Sequence, residues 1–364
     1  METHSEVQGN KHLHLDVCVA DKPPHHGVTE LLRRLRPQWR PEDIQMKVFT
    51  EGITNQLMGF YVGSMADSDV VLVRVYGRMT ELFVDRDKEV EMLQVLSTHG
   101  CGPQIFCTFQ NGICYEFMRG VALDDTLLRQ PAIYRLIATE MGKIHSIKSS
   151  SNSPAEPVLW TKVSLFLELV QNSQSDPSVQ QGSVSLCEVP SLEVLFKEME
   201  ELKRHLSHID SPTVLCHNDL LSKNIIYNPA KGSVKFIDFE YADFNYQAYD
   251  ISNHFNEFAG LSNVDYSLYP SCELQRDWLT AYLESYKACT GVGSSASKEE
   301  VQELYIKVCK FSLVLNQLIL TLNVNGTARG FHVLSRPEGL RPPISLGVSG
   351  LCFRPDIPLL TLTS

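Results

Sequence analysis

The hydrophobic pattern of this chain changes period near residue 120, and that change restricts the fold more than any other feature. Before it, Gln45–Thr50, Gln56–Val62 and Asp69–Gly77 are short runs rich in Val, Phe, Tyr and Met, separated by Gly, Asn, Asp and Ser. Such runs read as strands. Asp87–Thr98 carries Val90, Leu93 and Leu96 at helical spacing. Gln104–Phe109 and Ile113–Met118 follow as two more strands, with Asn111-Gly112 between them as a hairpin signal. A short helix over Thr29–Trp39 precedes all of these. After residue 120 the spacing predicts helices over Ala132–Ile147, near Trp160–Val170, from Ser191 to Ile209, near Glu273–Lys287 and over Ser297–Leu322. Ser191 stands at the N-cap of the third, whose Leu192, Leu195, Phe196, Met199, Leu202 and Leu206 share a face. Ser297 and Glu300 have capping-box spacing. Most of Ser146–Ser191 is rich in Ser, Pro and Gln and reads as loop. This order is that of an α+β chain: a small antiparallel β lobe with one inserted helix, then a larger, mostly helical lobe. Pairs of lobes commonly hold a ligand in the cleft between them.

Composition narrows the partners. The 32 Lys and Arg against 43 Asp and Glu leave a net charge of -11 over 364 residues. That balance argues against a nucleic-acid or anionic-membrane partner, and leaves an anionic substrate open. The apolar-rich stretch Phe311–Val324 is interrupted by Asn316, Gln317 and Asn323 and is too short to span a bilayer. Met1–Lys22 lacks the continuous apolar core of a secretory signal. The ten cysteines show no CxxC or other paired spacing, which reads as reduced thiols of a cytoplasmic protein. Residues 1–26 hold five of the twelve histidines and read as a disordered lead. Residues 27–120 then form the N-terminal lobe, 121–324 the C-terminal lobe, and 325–364, with five Pro and five Gly, a disordered or loosely packed tail.

The segment Val214–Glu240 carries the chemistry. Two strand-like runs, Asn224–Tyr227 and Val234–Ile237, are joined by a turn containing Pro229 and Gly232. His217-Asn218-Asp219 and Asn224 precede the first run, and Asp238 ends the second, so polar side chains gather at the ends of a hairpin. His-x-Asp-x-x-x-x-Asn, followed fourteen residues later by Asp238, is the phosphoryl-transfer arrangement of kinases. A carboxylate must orient the acceptor hydroxyl and receive its proton, which assigns Asp219. An amide oxygen and a second carboxylate must hold Mg²⁺ against phosphate oxygens, which assigns Asn224 and Asp238. The competing reading is that these Asp and Asn are turn formers beside a hairpin.

The β lobe should then hold the nucleotide, ATP. It has no Walker A sequence and no GxGxxG. Gly52-Ile53-Thr54-Asn55-Gln56 lies between two strands; Thr54 and Asn55 there could cover phosphates, or the segment is an ordinary turn. Arg74 sits inside Val-Leu-Val-Arg-Val-Tyr. A cation among apolar strand residues needs an anion or a solvent-facing side. Glu89 on the next helix is the natural partner, giving the cation–Glu pair of kinases with Arg in place of Lys. Tyr115-Glu116-Phe117-Met118 ends the fifth strand, where backbone groups of Glu116 and Met118 are placed to meet adenine.

These residues together resemble the choline/ethanolamine kinase family, and most closely its ethanolamine branch, over about residues 40–310. The likeness rests on Phe49–Asn55, Val71–Gly77, Cys216–Leu221, Tyr249–Phe258 and Val264–Pro270. It implies a bilobal protein-kinase-like fold and Mg-ATP-dependent phosphorylation of ethanolamine or choline, the first step toward the corresponding phospholipid. It also implies that Asp219, Tyr241, Glu257 and Tyr266 bind the aminoalcohol, a small cation suited by carboxylates and aromatic faces. A homodimer is compatible with this reading. The resemblance stops near Phe311: Ile319 and Leu322 stand where the family carries two tryptophans of the amine pocket, and Asn325–Ser364 has no counterpart. The residues therefore leave open an ethanolamine kinase, a kinase of choline or another hydroxyl, and a homologue with impaired amine binding that works through partners.

Overall fold

The computed structural model describes residues 12–20, 26–51, 55–65, 69–77, 84–149, 155–174, 192–260 and 265–323. The N-terminal part comprises β1 (Leu13–Leu15), α1 (Val28–Leu35), β2 (Ile44–Glu51), β3 (Asn55–Val62), β4 (Val71–Tyr76), α2 (Arg86–Thr98), β5 (Ile105–Phe109) and β6 (Gly112–Glu116). The strands form one sheet in the order β1-β5-β6-β4-β3-β2, antiparallel except for β1 against β5. The five expected strands and the helix after the third are all present. Their central member, β4, is buried along nearly its whole length. Alternation sends Val71, Val73 and Val75 into a small core with Leu31 and Leu32 of α1. Arg74 belongs to the opposite face, where α2 packs, and it is only 7 % exposed; the solvent-facing alternative is excluded.

Residues 12–20 depart from the reading of a disordered lead. They add the edge strand β1, whose Leu13, His14 and Leu15 pair with Cys107, Thr108 and Phe109. The turn after β5 explains why. The Asn111 side chain accepts from the Val19 backbone N–H (2.9 Å) and donates to the Val19 carbonyl (2.8 Å). One amide thus replaces a strand partner, an attachment across 92 residues that local polarity does not announce. The rest of the lead before residue 12 and the tail from 324 lie outside the described residues.

The C-terminal part contains β7 (Val121–Ala122), α3 (Pro131–His145), α4 (Leu159–Gln174), α5 (Leu192–Leu206), β8 (Thr213–Cys216), β9 (Ile225–Asn228), β10 (Ser233–Phe236), β11 (Asp243–Tyr246), α6 (Gln247–Glu257), α7 (Cys272–Thr290) and α8 (Lys298–Asn323). β9 and β10 are the expected hairpin, joined by β7, while β8 pairs with β11. The α8 capping box forms as its spacing requires: Glu300 accepts from the Ser297 N–H at 2.7 Å and donates its own N–H to Ser297 Oγ at 3.1 Å. Helices α3 and α7 approach closely at Gly142, where a Cβ would lie 2.8 Å from the Tyr282 carbonyl oxygen. Helix α6 was not foreseen. Gln247, Asp250, Asn253, His254 and Glu257 recur at helical spacing, but every residue from Gln247 to Asn256 is buried, so this polar face meets protein rather than solvent. The large core runs from Leu93 and Leu96 of α2 through α3, α6 and α7 to Phe311 of α8, joining the two lobes. Among the described residues no helix is long and apolar enough to cross a membrane.

Candidate active site

The loop between β8 and β9 carries His217, Asn218, Asp219 and Asn224, and it is held from beneath by one face of α6. Asp250, Asn253 and His254 lie three and four residues apart, so they share a helical face. Asp250 accepts the backbone N–H groups of His217 (2.9 Å) and Asn218 (2.8 Å). Asn253 donates to the Asn218 carbonyl (3.4 Å), and His254 Nδ1–H donates to the Leu220 carbonyl (3.1 Å). Glu257 ends this helix one turn beyond His254, half-buried.

Asp250 is itself secured by a buried chain of hydrogen bonds. Gln247 donates to Tyr282 Oη (2.9 Å), the Tyr282 hydroxyl donates to His145 Nδ1 (2.7 Å), and His145 Nε2–H donates to Asp250 (2.9 Å). Only this direction gives each group its proper donor or acceptor with a neutral imidazole. Burial would raise the Asp250 pKa, but the hydrogen bond from His145 and then the two histidine rings hold it below the ordinary carboxylate value. His145, Cys216 and Asp250 bring ligand atoms within 4.8 Å of one another. The imidazole and carboxylate are committed to hydrogen bonds there, so the group supports the loop.

Among the described residues other than glycine, two take the left-handed conformation that L side chains rarely adopt: Asn218 (φ 65°) and Asp238 (φ 63°). Such conformations cluster at functional sites. Asn218 is fixed there by its amide, which donates to the Tyr241 carbonyl (2.9 Å) and accepts from Asn245 (2.9 Å). His217 Nε2–H donates to the Ile237 carbonyl (3.0 Å), its Nδ1 accepts the Asp219 N–H (3.3 Å), and its ring packs on Phe239 at 4.8 Å. Burial keeps His217 neutral by lowering its pKa. One imidazole thereby ties the Asp219 loop to the Asp238 turn.

The structure brings Asp219, Asn224, Asp238 and Tyr241 to this seam. Asp219 is 3 % exposed, and its Oδ1 is buried with no hydrogen-bond partner among the described residues. Burial first, then the charges of Glu257, Asp238, Glu240 and Asp250, push its pKa well above the ordinary range. Such a carboxyl is suited to receiving a proton. Asn224 donates its amide N–H to the Asp219 carbonyl (2.9 Å), which leaves its amide oxygen for a hard cation. The Asp238 side chain is 40 % exposed. An orphaned buried carboxylate beside an amide oxygen and an accessible carboxylate is a donor set that fits Mg²⁺ and a phosphate. Burial, and after it Glu240, Asp219 and Asp238, raise the Tyr241 hydroxyl pKa.

On the other lobe, Arg74 Nη1 donates to Glu89 (2.9 Å) and lies 3.3 Å from Asp238, while Nη2 donates to Glu240 (2.5 Å). The expected Arg74–Glu89 pair is present and crosses to Asp238. Glu116 ends β6; its backbone N–H donates to the Gln104 carbonyl (2.9 Å), and its carboxylate is exposed. Met118 follows, half-buried. Asn55 opens β3 opposite Tyr76. Thr54 lies outside the described residues, as do the side chains at Ile319 and Leu322. Tyr266 stands on a separate 3-10 turn and is 41 % exposed. Sequence reasoning missed roles for His145, Asp250, Arg86 and Glu240. Asp250 carries the one available signal, an acidic residue within Ala-Tyr-Asp-Ile.

A β lobe and a helical lobe with this carboxylate, amide and carboxylate set at their seam define a protein-kinase-like phosphotransferase fold. The comparisons narrow the class. The choline/ethanolamine kinase family model matches residues 46–322, and the chain belongs to that family. It is 50% identical to human ethanolamine kinase 1 over 302 residues, covering 82% of this chain and 66% of that protein. It is 51% identical to human ethanolamine kinase 2 over 287 residues, covering 79% and 71%. The solved structure of a Plasmodium vivax ethanolamine kinase superposes with a TM-score of 0.70 at 26% identity, covering 84% of each chain. The chain thus spans just under two thirds of the length of human ethanolamine kinase 1.

Proposed function

We propose that this chain transfers the terminal phosphoryl group of ATP to the hydroxyl of ethanolamine, forming phosphoethanolamine at the start of the CDP-ethanolamine route. The observation that carries the reading is Asp219 Oδ1, buried in a field of carboxylates with no partner among the described residues. The half-identical ethanolamine kinases supply the choice of substrate. Asp219 orients the hydroxyl and takes its proton, while that oxygen bonds to the terminal phosphorus and the bond to the departing ADP breaks. Asn224 and Asp238 hold Mg²⁺, which when bound supplies positive charge against the phosphate oxygens. Arg74, braced by Glu89, serves the phosphates with Thr54 and Asn55, and the backbone at Glu116 and Met118 serves adenine. Tyr241, Glu257 and Tyr266 receive the ammonium group. Cations beside Asp219 draw its pKa back down, so the base is ionised when substrate is in place.

Purified chain with Mg-ATP and ethanolamine should form phosphoethanolamine, read by mass spectrometry. Asp219→Ala should lower turnover by about 10³-fold while nucleotide binding persists. Turnover that survives the substitution would remove Asp219 from this role. Choline in competition reads the amine preference, because a quaternary ammonium donates no N–H hydrogen bond. The cytoplasmic location and a homodimer belong to the same proposal, tested by fractionation and sedimentation.

A further inference from the structure

Arg74 has more negative partners than one cation can balance. Glu89, Asp238 and Glu240 all lie within ion-pair distance of its guanidinium. An arginine so surrounded presents a negative field, which opposes a phosphate. A second cation completes the group. Arg86, at the start of α2, donates from Nη1 to Glu89 Oε2 (2.7 Å) and lies 3.4 Å from Glu240 Oε2. Its guanidinium rests 4.3 Å from the centre of the Tyr76 ring. Among the described residues, Arg74, Glu89, Arg86 and Glu240 close a ring of alternating charge, with Asp238 as a third carboxylate on the accessible side.

We propose that Arg86 is a positioning residue for the nucleotide site: it neutralises Glu89 and Glu240, which leaves Arg74 for phosphate and Asp238 for the metal. The inference rests on the nucleotide half of the proposed function and not on the identity of the amine. Arg86 reaches both Glu89 and Glu240 through Nη1, contacts that a single positive charge supplies without a bidentate fork. Glu240 follows Asp238 by two residues and belongs to the other lobe, so the ring also sets how the two lobes meet.

The test is binding of a fluorescent ATP analogue with Mg²⁺, without amine, beside Mg-ATP and ethanolamine kinetics. Arg86→Gln should weaken analogue binding about tenfold, the effect of one uncompensated charge near the site, and raise the KM for ATP while the KM for ethanolamine stays near the parent value. Arg86→Gln combined with Glu240→Gln should recover most of the lost affinity, because the charge balance returns. A brace of purely structural kind predicts no such recovery. Arg86→Lys keeps the charge and should bind the analogue within about threefold of the parent. Parent-like binding by Arg86→Gln, no recovery in the double variant, or a tenfold loss with Arg86→Lys would each overturn the proposal. A parent chain that binds the analogue but does not phosphorylate ethanolamine would instead overturn the choice of substrate and leave this inference standing.

Discussion

Asp219 destabilises the fold in which it sits. Its carboxyl is buried, its Oδ1 has no partner among the described residues, and burial and neighbouring carboxylates hold its pKa well above the value of 3.8 that it has when unfolded. The sign of the consequence follows by linkage. Between the unfolded and folded pKa values the folded state binds the proton more tightly, so stability is full below about 3.8 and is lost as pH rises through the folded value. Asp219→Asn removes this loss. Its melting temperature should exceed the parent's at pH 8 and approach it near pH 4, with turnover reduced by about 10³-fold. Parallel Tm–pH curves for the two proteins would refute the assignment. At this scale His217, Asp219, Asn224 and Asp238 were legible, because a hairpin converts fixed spacing into proximity. Arg74 and Glu89 were legible because a cation in an apolar strand demands an anion. Arg86 and Glu240 were not: they meet across 154 residues, and each alone looks like an ordinary surface charge.

Helix α6 shows how one element builds a site. Asp250, Asn253, His254 and Glu257 follow the helical repeat, so one face both clamps the β8–β9 loop and delivers the carboxylate whose charge bears on Asp219. The arrangement predicts that Asp250→Asn is severe. The NH2 of the new amide would oppose the Asn218 backbone N–H if its oxygen stays with His217 and His145, or those two donors if it is turned the other way. Losing a buried hydrogen bond to a carboxylate and leaving its donor unpaired costs about 2–3 kcal/mol. Denaturant unfolding should show that loss, and the surviving folded fraction should lose turnover more than nucleotide affinity, since Arg74 lies on the other lobe. A loss below about 1 kcal/mol would show that the loop does not depend on Asp250. The helix carries a polar stripe in its sequence; what stayed hidden is that the stripe is buried against the β8–β9 loop rather than solvated. The edge strand β1 was hidden for a different reason: its partners, strand β5 and the Asn111 amide that holds Val19, lie far along the chain.

At the scale of the whole molecule, the net charge of -11 bears on the proposed amine substrate. A negative surface raises the local concentration of a small cation, and salt screens that attraction, with a Debye length near 8 Å at physiological ionic strength. Raising salt from about 0.02 to 0.3 M should lower kcat/KM for ethanolamine several-fold and leave kcat nearly unchanged. Salt-independent kcat/KM would remove the surface field from the account. The inward contacts of the two lobes behave otherwise. Arg74 and Glu89 are buried, so ions in solution screen their pairing little.

The sequence by itself determined the order of elements, the two lobes and the hairpin that gathers Asp219, Asn224 and Asp238, because hydrophobic period and short spacing act locally along the chain. Tertiary structure decided the charge pairings between residues far apart in the chain, of which the expected Arg74–Glu89 pair is not one. The Arg74–Glu240 contact spans 166 residues and the His145–Asp250 contact 105. Burial turns those distant pairings into the forces that hold the loop and raise the Asp219 pKa. A charge acquires its partners and its dielectric only when the chain closes around it.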